Sequence, residues 1–229
     1  MRSQLEFYMD EIVKRLERMH ELAANAFIDS IKSFEDLDED AASEVQEQVE
    51  DIEELANKIE SSVFETIARR QPVAGDLRAL ATYSHVAYHL HRVGRYAYKI
   101  AYITKLCNGL DHYKELESLP YLAELAKSTL AIAMRGLVEK DLSEIDELEK
   151  LEAESDRETA DMFEEIAGFL KKMDNIETIS MFYVIVGRYC ERAADQAFAI
   201  AERAYYMVTG ERKKLGLAYK KEEQEIGPH

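Results

Sequence analysis

The feature that most constrains the fold is an internal repeat with a period of about one hundred residues. Residues 88–101 read YHLHRVGRYAYKIA, and residues 188–201 read RYCERAADQAFAIA. The two segments share the pattern R-x-x-x-x-A-x-x-I-A at matching positions. A chain that carries two copies of one segment is expected to contain two copies of one structural unit.

Apolar residues recur at helical spacing along most of the chain, and only 9 glycines and 3 prolines interrupt it. This pattern predicts long amphipathic helices and no sheet. The predicted helices cover about residues 5–34, from 40 or 43 to 70, from 75 or 76 to 107, 119–139, 143–172 and 176–208. We therefore predict an all-α fold of two tandem three-helix bundles, at residues 1–110 and 111–210, followed by a charged tail at 211–229 that we expect to fray.

Local signals set the predicted helix ends. Gln71-Pro72 should end the second helix, because proline lacks an amide hydrogen and disfavours helix in the residue before it. Gly210 should end the sixth helix. The predicted N-terminal caps are Asp40 or Ser43 for the second helix, Asp141 or Ser143 for the fifth, and Asp174 or Asn175 for the sixth.

The formal net charge of −17 limits the partners. Nucleic acid is excluded, because phosphate contacts need clustered lysine and arginine. We expect contact with membranes only through partner proteins, since anionic lipid would repel this surface. The two cysteines form no disulfide framework, and the N-terminus lacks an apolar stretch typical of a signal peptide, so we predict a cytoplasmic protein.

The two copies of the repeat differ in charge. The later copy has Glu191 and Asp195 where the earlier copy has His91 and Arg95. The helical pattern predicts that the two acids interrupt an apolar stripe, where ionised carboxylates are costly. Water, a basic partner, raised pKa values or a bound cation could each compensate.

A second acidic pair, Glu152 and Asp156, has the same spacing on the fifth helix. Antiparallel packing of the fifth and sixth helices would bring the two pairs together as four carboxylates. Such an oxygen-rich cluster suits hard or borderline divalent cations. The alternative is a solvated or salt-bridged acidic face, because i,i+4 acidic pairs arise often by chance in so acidic a chain.

The first half retains one acid at the four matching positions. Val49 and Glu53 match the pair on the fifth helix, and His91 and Arg95 match the pair on the sixth. We therefore predict a degenerate first-half site. There Arg95 would pair with Glu53 and supply the positive charge that a metal would otherwise supply.

Three segments together resemble the PhoU family of phosphate-transport regulators. They are RRQPVAGDLRAL at 69–80, CERAADQA at 190–197, and the R-x-x-x-x-A-x-x-I-A repeat. The resemblance runs from about residue 5 to 210, and the QPVAGDLR match is its most specific part.

The resemblance implies two bundles related by pseudo-twofold symmetry in a cytoplasmic protein, often a homodimer. It also implies metal bound by acidic helix motifs, with iron, zinc, nickel, magnesium or manganese as the candidate divalent or trivalent ions. The residues that match the acidic motifs are Glu152, Asp156, Glu191 and Asp195. Asp76 and Arg78 match the DLR signature, and Arg92 and Arg192 match the arginine next to the motif acid.

In function, the resemblance implies a non-enzymatic regulator. Such a protein would couple a phosphate ABC transporter to a membrane sensor kinase, and would restrain uptake and signalling when phosphate is plentiful. Two alternatives stay open: a related regulatory subunit of another transporter or ion channel, and an enzyme that uses a carboxylate-bound metal. The residues of the DLR signature could instead have purely structural roles. Asp76 would then cap the third helix, and Arg78 would pair with an acid such as Glu65.

Overall fold

The computed structural model describes residues 2–215, which form six α-helices. Their bounds are α1 Arg2–Asp36, α2 Glu39–Arg70, α3 Ala74–Leu106, α4 Ser118–Val138, α5 Ile145–Leu170 and α6 Glu177–Thr209. The predicted all-α fold and its division into two sets of three helices are confirmed. Within the described residues, no helix has the length and apolarity that crossing a membrane requires.

The two bundles lie side by side. Helices α1, α2 and α3 pack against one another, as do α4, α5 and α6, and the two sets meet where α3 contacts α6 and α1 contacts α4. One continuous apolar core runs through both halves. Helix α5 contacts only α4 and α6, so it lies at the edge of the molecule. It packs less extensively on its neighbours than any other helix.

The contact between α3 and α6 follows the symmetry of the repeat. His89 Nδ1 lies 3.0 Å from Gln196 Oε1, and Tyr96 stacks on Tyr189 with ring centroids 5.8 Å apart. His89 and Tyr189 occupy matching positions of the repeat, as do Tyr96 and Gln196. The same two positions therefore make both contacts, as a pseudo-twofold axis between the helices requires.

Arg78 joins the start of α3 to the end of α6. Its Nε donates a hydrogen bond to the carbonyl of Met207 at 3.2 Å, and its guanidinium carbon lies 5.6 Å from the centre of the Tyr206 ring. A cation at a helix C-terminus also meets the negative end of the helix dipole. Arg78 therefore does not pair with Glu65, which binds Arg69 instead.

The connection between α3 and α4 is held by His112. Its Nε2 lies 3.0 Å from the carbonyl of Phe34 at the end of α1, and its Nδ1 lies 2.8 Å from the hydroxyl of Tyr183 on α6. A carbonyl can only accept, so Nε2 carries a proton and donates to it. One imidazole thus links the two halves at the connection between them.

Several predicted helix caps are wrong. Asp38 caps α2, and its carboxylate accepts from the amides of Asp40 and Ala41, because the chain becomes helical one residue after it. Asp141 binds the amide of Ser143 within the connection before α5, and α5 itself has no side-chain cap. Helix α6 starts without a side-chain cap, and Asn175 instead supplies a left-handed turn with φ 64°.

Two predicted helix ends are confirmed. Helix α2 stops at Arg70, where Gln71 adopts a left-handed conformation ahead of Pro72. Gly210 ends α6 with φ 81°, and its amide binds the carbonyl of Tyr206. Any side chain at Gly210 would be strained by this backbone conformation and would also press on Arg78, whose Nη1 lies 3.1 Å from the position of an added Cβ.

The start of the predicted tail does not fray. Leu215 is buried, and its amide donates to the carboxylate of Glu202 at 2.9 Å. Lys213 binds Asp146 at the start of α5. The remainder of the predicted tail, residues 216–229, lies outside the described residues.

Replacing Arg78 with glutamine should destabilise the fold by about 1–2 kcal/mol, because it removes a charged hydrogen bond and a cation–π contact between the halves. Urea unfolding measures this directly. Arg69→Gln is the matched control, since Arg69 makes an exposed ion pair that should contribute less than about 1 kcal/mol. Equal free energies of unfolding for the two variants would contradict this role of Arg78.

Candidate functional site

The four predicted carboxylates come together where α5 packs on α6. The charge of Asp195 acts on the carboxyl group of Glu152, and the charge of Glu191 acts on that of Asp156. The earlier residue on α5 thus lies near the later residue on α6, as antiparallel packing requires. The i,i+4 spacing places each pair on one face of its helix.

Burial and the charges of neighbouring acids raise the pKa values of three of these carboxyl groups. Burial, and then the charges of Asp156 and Asp195, raise the pKa of Glu152 to about 7. Burial and the charge of Glu191 raise the pKa of Asp156. The same two causes raise the pKa of Asp195, against the opposing charges of Arg192 and Arg188. The cluster therefore favours bound protons or another positive charge.

Solvent reaches the cluster from one side. Glu152 and Asp156 are half-buried, and Glu191 is 29% exposed. Asp195 is exposed as a whole residue, but neighbouring atoms partly desolvate its carboxyl group. The prediction that Glu191 and Asp195 interrupt a buried stripe is therefore only partly right. The acids lie at the margin of the α5–α6 contact, where water and ions have access.

Arg188 is a member of this site that the sequence reasoning missed. It forms an ion pair with Glu191 one helical turn away. The signal was present in the sequence, since Arg188 precedes Glu191 by three residues on one helix face. This arginine supplies part of the positive charge that the cluster needs.

The types of these residues suit a metal ion, but their arrangement does not form a metal site. Four neighbouring carboxylates, three of them with raised pKa values, suit a hard cation in chemistry and in charge. Yet within residues 2–215 no group of three or more His, Cys, Asp or Glu side chains is arranged to hold a metal ion. The residues thus fit a cation in type, and their present arrangement is not a formed coordination site.

The matching face of the first half lacks this crowding. Val49 is buried, whereas Glu53 and Arg95 are exposed. No ion pair joins Glu53 to Arg95 in the described part of the chain, so the predicted pair is wrong; as exposed groups, both can be solvated separately. Burial lowers the pKa of His91, which favours the neutral imidazole, and its Nε2 is buried without a hydrogen-bond partner.

The remaining signature residues have structural surroundings. Arg92 donates to the hydroxyl of Tyr96 at 2.9 Å and lies over its ring, so it braces the tyrosine that stacks on α6. Arg192 is exposed, and its charge lowers the pKa of Asp195. Asp76 lies in the first turn of α3 and makes no capping bond, contrary to the prediction, because the helix begins at Ala74 after Val73.

The fold and the site define a class of protein: a pair of tandem three-helix bundles that meet through their third helices, with an acidic face on the second bundle. The PhoU domain model matches this chain twice, over residues 16–104 and 119–204. The chain belongs to the PhoU family. Membership confirms the prediction of a non-enzymatic regulatory protein.

The relatives align along nearly the whole chain. A Clostridium acetobutylicum protein named phosphate-specific transport system accessory protein PhoU homolog is 26% identical over 209 residues, which is 90% of this chain and 95% of the relative. A Methanothermobacter thermautotrophicus homolog with the same description is 25% identical, over 89% of this chain and 90% of its own length.

Solved structures support the fold. The crystal structure of PhoU from Pseudomonas aeruginosa superposes with a TM-score of 0.83 at 22% identity, covering 90% of this chain and 99% of that one. The phosphate transport system regulatory protein PhoU from Streptococcus pneumoniae gives a TM-score of 0.82 at 21% identity, covering 92% and 100%. At these identities the likeness bears on the fold alone.

The raised pKa of Glu152 predicts a pH-dependent stability. A carboxyl group whose pKa is higher in the folded state binds more protons when folded, so its stabilisation is complete below about pH 4.5 and is lost as the pH rises through about 7. Glu152→Gln should therefore stabilise the protein at pH 8 by about 1–2 kcal/mol, and by less at pH 5. Denaturant unfolding at both pH values, with chelator present, measures the difference.

The matched control is Glu164→Gln, an exposed glutamate on the same helix. It should leave the pH dependence of stability unchanged. A Glu152→Gln variant whose free energy of unfolding follows the wild-type curve at every pH would show that burial and the neighbouring carboxylates do not raise the pKa of Glu152 in the folded protein.

Proposed function

We propose that this chain is a cytoplasmic regulatory subunit of a phosphate-specific transport system. The observation that carries the proposal is the double match to the PhoU domain, at residues 16–104 and 119–204. The near full-length alignment with phosphate-specific transport accessory proteins supports it. The subunit would couple a phosphate ABC transporter to a membrane sensor kinase, and restrain uptake and signalling when phosphate is plentiful.

The architecture suits binding to other proteins. Helix α3 presents three side chains to solvent along one face, with Tyr88 at 56%, Tyr102 at 53% and Leu106 at 49% exposure. Tyrosine is enriched in protein interfaces, because its ring buries area while its hydroxyl stays hydrogen-bonded. A partner subunit or a second copy of the chain in the expected homodimer would find a suitable surface here.

We further propose that the second half responds to cations through Glu152, Asp156, Glu191 and Asp195. The support is electrostatic: three of the four carboxyl groups have raised pKa values, and the fourth is bound by Arg188. A divalent cation would compete with the bound protons and with that arginine. The first half would not respond in the same way, since Val49, His91 and Arg95 replace three of the four acids.

The proposal for phosphate regulation is tested in cells that lack the gene. Phosphate uptake and a phosphate-starvation reporter should both rise in phosphate-rich medium, and the wild-type gene should restore them. A pull-down from membrane extracts with the purified protein should recover phosphate-transporter subunits. Normal uptake in the deletion strain, together with recovery of an unrelated carrier or channel, would instead support a different transport system.

The cation proposal is tested by metal analysis of protein purified without chelators. Asp156→Asn combined with Asp195→Asn should lower the bound metal, because the substitutions remove ionised oxygen ligands from both helices. The control combines Asp161→Asn with Asp174→Asn, two exposed residues outside the cluster. Equal metal content in both double variants would contradict the assignment of these carboxylates.

A further inference from the structure

A cavity of about 160 Å³ lies between α1 and α2 in the first half. One water molecule needs a cavity of only about 10–15 Å³. The space therefore has room for a ligand of several heavy atoms. Its lining includes the guanidinium groups of Arg15, Arg69 and Arg70, an unusual concentration of positive charge in a chain of net charge −17.

Arg70 has a donor to spare at this cavity. Its Nη1 donates to the Gln4 side chain at 2.9 Å, and its guanidinium carbon lies 4.9 Å from the centre of the Tyr8 ring. Its Nε is buried and has no hydrogen-bond partner. Buried donors are nearly always satisfied in folded proteins, so an unpaired one beside an empty space indicates a missing acceptor.

Arg15 lines the same cavity as Arg70. Its Nη1 donates to the hydroxyl of Ser62 at 2.6 Å, and among the described residues it forms no ion pair. Arg70 also forms no ion pair among the described residues. Neither guanidinium group therefore has a direct carboxylate partner at the cavity, and the charge of Arg15 acts only at longer range on Glu11.

The two acids that line the cavity are already engaged. Glu11 binds Lys14 at 2.8 Å, and Glu65 binds Arg69 at 3.0 Å. These ion pairs reduce the repulsion that the acids would exert on an incoming anion. The arrangement leaves Arg15 and Arg70 as the lining cations that have no ion pair among the described residues. The Tyr8 hydroxyl at the wall accepts a hydrogen bond from Arg70 Nη2 at 3.3 Å.

We propose that this cavity binds a small oxyanion, phosphate or a phosphomonoester, through Arg15 and Arg70. Guanidinium groups form short, charge-assisted and often bidentate hydrogen bonds with such oxygens. A ligand there would contact both helices and would sit at the end of α2, whose last residue is Arg70. The site is separate from the second-half carboxylates and does not depend on them.

Isothermal titration calorimetry with inorganic phosphate, glycerol 3-phosphate and malonate tests the proposal. Phosphate or glycerol 3-phosphate should bind to the wild-type protein at constant ionic strength. Arg15→Gln and Arg70→Gln should each weaken that binding about tenfold or more, since each removes a charge-assisted hydrogen bond. The two phosphate compounds distinguish a free ion from a phosphorylated metabolite.

Arg18→Gln is the matched control, because Arg18 is an exposed arginine on α1 that does not line the cavity. Its binding should equal that of the wild-type protein. If Arg70→Gln loses its helical circular dichroism, Arg70→Lys together with Arg15→Gln decides the question. The proposal is overturned by absence of binding at millimolar concentrations, by binding of malonate alone, or by equal affinity in the cavity variants and the control.

Discussion

The antiparallel contact between α3 and α6 is the constraint on which the rest of the structure depends. It is the main surface through which the two bundles share one core, and the repeat supplies its contacts twice, as His89 with Gln196 and Tyr96 with Tyr189. Arg78 extends the contact to the end of α6. With α3 and α6 fixed against each other, α2 and α5 are left on the outside, where the charged faces can diverge without loss of the core.

The two halves differ in the ionisable side chains that these faces carry. On α5 and α6, burial and the charges of neighbouring acids raise the pKa values of Glu152, Asp156 and Asp195, so this face has an affinity for protons or another positive charge. On α2 and α3, the buried Val49 and the neutral His91 remove that affinity. The second half thus has a face of clustered carboxyl groups with raised pKa values, and the matching face of the first half does not. Both faces cover the same apolar core.

The sequence was sufficient for the helices and for pairing the acids, because both depend on residue spacing along one helix. It was insufficient where several candidates compete locally: among the acids of EDLDED, only the geometry of the turn selects Asp38 as the cap. It was also insufficient for long-range partners. Arg78 binds a carbonyl 129 residues away, and a backbone carbonyl leaves no signal in the sequence. The prediction of an ion pair between Glu53 and Arg95 was wrong. Two exposed residues of opposite charge form a stable pair only if burial or geometry holds them together.

The titration of Glu152 reports whether its carboxyl group is partly buried beside Asp156 and Asp195 where α5 packs on α6. Carbon-13 NMR of the side-chain carboxyl group, recorded in chelator across the acidic to neutral range, gives the pKa of this residue. We expect a midpoint near 7, well above the ordinary value of 4.5. A midpoint near 4.5 would contradict this, because it would show that neither burial between α5 and α6 nor the neighbouring carboxylates act on Glu152 in solution.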